Sequence, residues 1–153
     1  MATRTDPVVL GKQQWFYVKK GSDYVALGCM TNYDENEPGY QPQRLSCRSG
    51  TKVSPGGEKD LATLNIEGVA HVYASGQVAS NVSAEEIRGW TQSGTIVEAK
   101  WGGTLEGDPV HSGKGYFTGF SRRNPNDNNT TYSVTFNCTE EYATAALAPP
   151  SGN

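Results

Sequence analysis

The chain has few of the residues from which active sites and membrane anchors are built. It contains two histidines, His71 and His111, and three cysteines, Cys29, Cys47 and Cys138. Neither histidine has a cysteine or carboxylate at a ligand spacing along the chain, so both read as structural. An odd number of cysteines with no paired spacing disfavours a disulfide scaffold and reads as buried free thiols. No apolar run approaches the length of a bilayer span, and Met1 to Asp6 carries no hydrophobic stretch of a secretion signal. The expectation is a protein made and kept in a cytoplasm, with no membrane partner. Charged residues make up 19% of the 153, the net charge is −3, and no basic stripe is visible. That balance speaks against tight binding to nucleic-acid phosphates. Four Asn-x-Ser/Thr sequons, at Asn81, Asn128, Asn129 and Asn137, are accounted for by the Asn-, Ser- and Thr-rich composition.

The familiar catalytic and ligand-binding motifs also fail residue by residue. Gly113-Lys114 suggests a phosphate loop, but Asp108 stands where its first Gly belongs and Gly115 where its Ser or Thr belongs. The dinucleotide fingerprint fails because Thr118 replaces its third Gly. Asp34 to Gly39 begins like a calcium loop, but Pro38 displaces one ligand and Leu45 the bidentate Glu. There is no G-x-S-x-G elbow. Glu85-Glu86 and Glu140-Glu141 are sequence neighbours, which point apart on a strand or a helix and so do not form an acid–base dyad. No catalytic residue, metal or cofactor is expected, and the chain reads as a non-enzyme.

What is present is the material of a β-rich domain: 18 glycines and 35% apolar residues, arranged as short apolar runs between Gly- and Asn-rich turns. Trp15 to Val18 and Tyr24 to Thr31, separated by Lys19 to Asp23, predict an N-terminal hairpin. Asn32 to Gln43, acidic and interrupted by Pro and Gly, predicts a long loop of functional character. Within it, Tyr33, Asp34, Glu35, Glu37, Pro38 and Tyr40 are the candidate contacts to a partner. Arg44 to Arg48 suits a short strand, and Leu61 to Tyr73 alternates over a longer one. Ser83-Ala-Glu-Glu86 is a capping box, with Ala84, Ile87 and Trp90 at helical spacing and Gly94 as terminator. This predicts one short amphipathic helix. Strands follow over Thr95 to Trp101, Val110 to Ser121 and Thr131 to Cys138. The tail from Ala143 to Asn153 is expected to fray. All 153 residues are expected to form a single domain with its ordered core over about 8–141.

Four stretches together carry a resemblance. They are the Trp15–Val18/Val25–Gly28 hairpin, the segment Asn32–Gln43, the helix that follows a long strand, and the closing pattern. That pattern runs Gly115-Tyr-Phe-Thr-Gly-Phe-Ser121, Pro125-Asn-Asp127, Thr131-Tyr-Ser-Val-Thr-Phe136. Over roughly Val8 to Glu141 the chain resembles the major tail tube proteins of siphophages, relatives of contractile-tail and secretion-system tube proteins. It departs from their pattern at Asn137-Cys138, where Gly is frequent, and is not expected to carry the C-terminal immunoglobulin-like decoration found in some members. The resemblance implies an all-β fold: a β-sandwich with one flanking short α-helix, whose strands contribute to an inter-subunit β-barrel. It also implies a virion protein, assembled in the host cytoplasm, that forms stacked hexameric rings and hence a hollow tail tube. The implied partners are further copies of the chain, a tape-measure protein and tail terminator or tip proteins. Genomic DNA passes through the lumen without specific binding. Two alternatives remain open from the residues: a ligand- or carbohydrate-binding β-sandwich module, and a tube protein of a contractile tail or secretion system.

Overall fold

The computed structural model describes residues 5–148, apart from the Cys47 side chain. The N-terminal hairpin forms as predicted. β1 (Gln14–Lys20) and β2 (Asp23–Ala26) pair antiparallel from Tyr17↔Ala26 to Lys20↔Asp23. The expected continuation of the second strand to Thr31 is broken. The chain turns at Gly28 and Cys29, the latter held at φ 50°, and leaves in a new direction. Gly28 lets the Tyr73 hydroxyl lie against the turn, and a side chain at position 28 would displace that ring.

The new direction is β3 (Met30–Asn36), which pairs antiparallel with β8 (Thr63–Val69). Between them lie four short strands: β4 (Gly39–Tyr40), β5 (Gln43–Cys47), β6 (Gly50–Ser54) and β7 (Lys59–Asp60). In β8 the predicted alternation holds, with Leu64, Ile66 and Gly68 buried and Asn65 and Glu67 exposed. It ends at Val69, four residues short of the expected Tyr73, and Val72 beyond it is 90% exposed.

The helix α1 (Ala84–Ser93) is built as its sequence signals specify. Ser83 Oγ accepts from the Glu86 backbone N–H at 3.3 Å, and Gly94 closes the helix at φ 65°, in the left-handed region. Only half of the capping box forms. The Glu86 carboxylate pairs with Lys20 Nζ at 2.9 Å, because a cation from β1 lies within reach. Lys20 also donates to the Val78 carbonyl at 2.7 Å, tying the helix entry to the hairpin.

β9 (Val97–Gly103), β10 (Pro109–Arg123) and β11 (Thr131–Cys138) complete the large sheet. β12 (Ala143–Ala146) pairs with Pro109–Ser112 of β10, so this part of the tail is held by a ladder where fraying was expected. The remainder of that expectation, 149–153, lies outside the described residues. Strand order is β2-β1-β9-β10-β11-β8-β3, with β12 beside β10. The 15-residue β10 links the two halves, pairing with β9 over Val110–Gly115 and with β11 over Gly115–Arg123.

The sheet curls until its halves face one another. Phe16 of β1 and Phe136 of β11 are separated by two intervening strands, yet their ring centroids lie 5.4 Å apart, edge to face. Trp101 and Phe117 join the same cluster, and α1 closes one side by stacking Trp90 on Phe117. The result is the expected β-sandwich with a flanking helix. Phe136→Ala removes the ring on which three others converge. It should destabilise the protein by about 3–5 kcal/mol in urea titrations, whereas Ser83→Ala should cost only about 1 kcal/mol.

Candidate assembly surface

Two features stand outside this packed body: an arm and a groove. The arm is the excursion between β3 and β8. Its root is the two-residue β4–β7 ladder. The root is fastened to the body through the C-terminal segment. The Tyr142 hydroxyl donates to the Glu37 carboxylate, and Lys59 Nζ lies 2.8 Å from Glu141. The bond to Glu37, with desolvation second, pushes the Tyr142 phenol up to about 12. Within the root, Gln41 N donates to the Glu58 carbonyl at 2.9 Å.

The tip of the arm is the β5–β6 hairpin, paired from Gln43↔Ser54 to Cys47↔Gly50 and with no other strand. Leu45 is 52% and Val53 61% exposed. The register places Leu45 opposite Lys52 and Val53 opposite Arg44, so each face of the hairpin carries one apolar and one basic side chain. The hairpin holds three cations, Arg44, Arg48 and Lys52, and no acid. None of the three enters an ion pair within the described residues. An isolated two-stranded hairpin is marginal in water, so an exposed one of this kind gains from a covering surface.

The groove, about 790 Å³, lies where the curled sheet fails to close. One wall is β3, which pairs with β8 alone. The other is the start of β1 and the segment before it, since β1 meets β2 only from Tyr17 onward. Val9, Trp15, Met30, Tyr33, Asp34 and Glu35 contribute to its lining, with Lys12 on the β1 side. Val9 and Trp15 are 60% and 39% exposed. Partial desolvation, reinforced by the charge of Glu37, raises the Glu35 carboxyl above the usual range, with His111 opposing.

The six partner-contact residues read from the sequence divide between these features. Tyr33, Asp34 and Glu35 belong to strand β3, not to a loop; Glu37 and Pro38 link it to the arm; Tyr40 lies on β4, 58% exposed beneath Lys59 Nζ. The polar composition of Asn32–Asn36 suggested irregular chain. Hydrogen bonding to β8 overrides it, and Tyr33 is half-buried against the core with its phenol pushed far up by that burial. The hairpin residues Arg44–Val53 were missed as a surface. Their signal was an isolated Leu and Val among basic and polar residues flanking Ser49-Gly50.

One further juxtaposition was invisible in the sequence. Cys29 is exposed, not buried as expected, and its Sγ lies 3.2 Å from His71 Nε2, while Nδ1 of that ring meets the Val69 carbonyl at 3.3 Å. The two residues are 42 positions apart. Cys138 is buried, which raises its thiol to about 11. No cluster of three metal-ligating side chains occurs among the described residues.

This architecture, a curled sandwich with one helix, has counterparts among solved structures. A chain of the virion of a native gene transfer agent particle superposes with TM-score 0.68 at 11% identity, covering 91% of this chain and 100% of that one. A chain from the tail of an empty gene transfer agent particle, of C6 symmetry, gives TM-score 0.64 at 12% identity, with 91% and 100% covered. The SPP1 tail tube gives 0.67 at 10% identity, covering 93% of this chain and 81% of that one. At these identities the likeness is one of fold. No protein-family model matches the chain, and no curated protein matches it by sequence.

The arm makes a direct prediction for the unassembled subunit. Limited trypsin digestion should cut first after Arg44, Arg48 or Lys52, and mass spectrometry should find the rest of the sheet intact, because the hairpin opens without disturbing the core.

Proposed function

We propose that the chain is a structural subunit of a phage-type tail tube, six copies forming a ring and rings stacking into a hollow conduit. The observation that carries this is the pairing of unsatisfied strand edges with an exposed arm, in a fold shared with a tail tube and a C6-symmetric tail. An open strand edge is a template for another chain. A head-to-tail contact between unlike surfaces closes into a ring when its rotation divides a full turn, and strands joined round that ring can form a barrel without edges.

On this proposal the protein works by assembly and not by turnover. Its place is the virion tail, built in the host cytoplasm around a tape-measure protein and bounded by terminator and tip proteins. DNA crosses the lumen without being held, with which a net charge of −3 is compatible. Tyr33, Asp34, Glu35, Glu37, Pro38 and Tyr40 take part in contacts between copies, from β3 and the arm root. All 153 residues act as one tube domain. A carbohydrate-binding module is less well supported. Trp101 is 1% exposed and Trp90 stacks on Phe117, leaving Trp15 at 39% exposure and no row of open indoles for a sugar. A tube of the contractile-tail or secretion-system type shares the same assembly physics and differs in the partners around it.

Electron microscopy of the purified protein at high concentration should show six-membered rings or tubes. Monomers under every condition, with or without virion-derived tube ends as initiator, would sink the proposal. Deleting Gln43–Ser54 and bridging the β4–β7 root with a short Gly-Ser turn should leave the thermal midpoint within about 4 °C and abolish polymerisation. Deleting Asn32–Gln43 should instead unfold the domain, since it removes most of β3.

A further inference from the structure

We propose that the β5–β6 hairpin of one copy seats in the groove between β3 and the start of β1 of the next copy, with Arg44, Arg48 and Lys52 facing Asp34 and Glu35. The inference rests on the tube assignment and specifies its contact.

Four observations carry it. The hairpin bears three cations and no anion, while β3 bears Asp34 and Glu35 and no cation. Within the described residues of the single copy the three cations form no ion pair, Asp34 meets the Asn32 amide at 3.4 Å, and Glu35 forms no ion pair, with His111 acting on it through space. The apolar complement agrees. Leu45 and Val53 are exposed on the hairpin, and Val9 and Trp15 lie open along the groove, with Met30 half-buried beside them. The lengths agree as well. Each hairpin strand has five residues, about 17 Å, against seven residues, about 23 Å, in β3.

The contact is heterologous. No hairpin residue lines the groove of its own copy, so the hairpin and groove of one molecule remain free for two different neighbours. That arrangement propagates and gives each copy one donor and one acceptor surface. A β-hairpin laid along an open strand edge also supplies main-chain donors and acceptors to that edge, a recognised mode of strand addition. Among the described residues, Lys12 on the β1 wall is the one cation that lines the groove, and it orients the incoming cations toward the β3 wall.

The test uses the full chain under conditions in which the wild type assembles. Arg44→Glu with Arg48→Glu and Lys52→Glu should raise the critical concentration for assembly at least tenfold, with an unchanged circular dichroism spectrum. Asp34→Lys with Glu35→Lys should do the same. Combining both sets in one chain should return assembly to within about threefold of wild type. Carbodiimide coupling in assembled wild-type material should join Lys52 to Asp34 or Glu35 of another copy. Normal assembly by the folded hairpin triple variant overturns this pairing and leaves the tube assignment standing, as does failure of the combined variant to recover while folded. A wild type that never assembles overturns both.

Discussion

The structure depends on an aromatic cluster that bends one sheet over on itself. Phe16, Trp101, Phe117 and Phe136 come from four different strands and meet in one place. Each ring buries a large apolar surface only if the sheet curls. The continuous β10 allows this by pairing with β9 along one part and β11 along another, with Gly115 at the crossover, where the Phe136 ring and Asn137 carbonyl leave no room for a side chain. Curling hides the apolar face, and the helix seals one opening with Ile87 and Trp90.

The same curl sets the candidate assembly surface. A sheet that bends far enough to bury its aromatics, but does not close, keeps open strand edges on either side of a gap. Here those edges are β3 and the first residues of β1, and the gap is the groove. The excursion between β3 and β8 adds a hairpin too small to stand by itself and too exposed to be supported by its own copy. The monomer is therefore well packed in its core and incomplete at its border, a combination suited to a subunit whose last contacts come from other molecules.

Much of the body was legible in the residues. β11 appears at its predicted limits, Thr131–Cys138, because a clean alternation beside a buried sheet admits one register. The helix was also legible, since Ser83, Ala84, Ile87, Trp90 and Gly94 each act locally. The arm was not. Asn32–Asn36 is polar enough to pass for a loop, and only its ladder with β8, from Asn32↔Glu67 to Asn36↔Thr63, makes it a strand. Cys29 and His71 came together for the same reason: long-range pairing sets their distance, and no spacing rule reports it.

By itself, then, the sequence determined the class of fold, the helix with its caps, the principal strands and the lack of recognisable catalytic motifs. These follow from periodicity and capping, which act over a few residues. The tertiary structure alone decided where the sheet stops short of closure, which charges are left without partners, and that the candidate contacts divide between a strand edge and an arm. Those properties arise from packing between segments far apart in the chain, where burial of the aromatic cluster outweighs local preference.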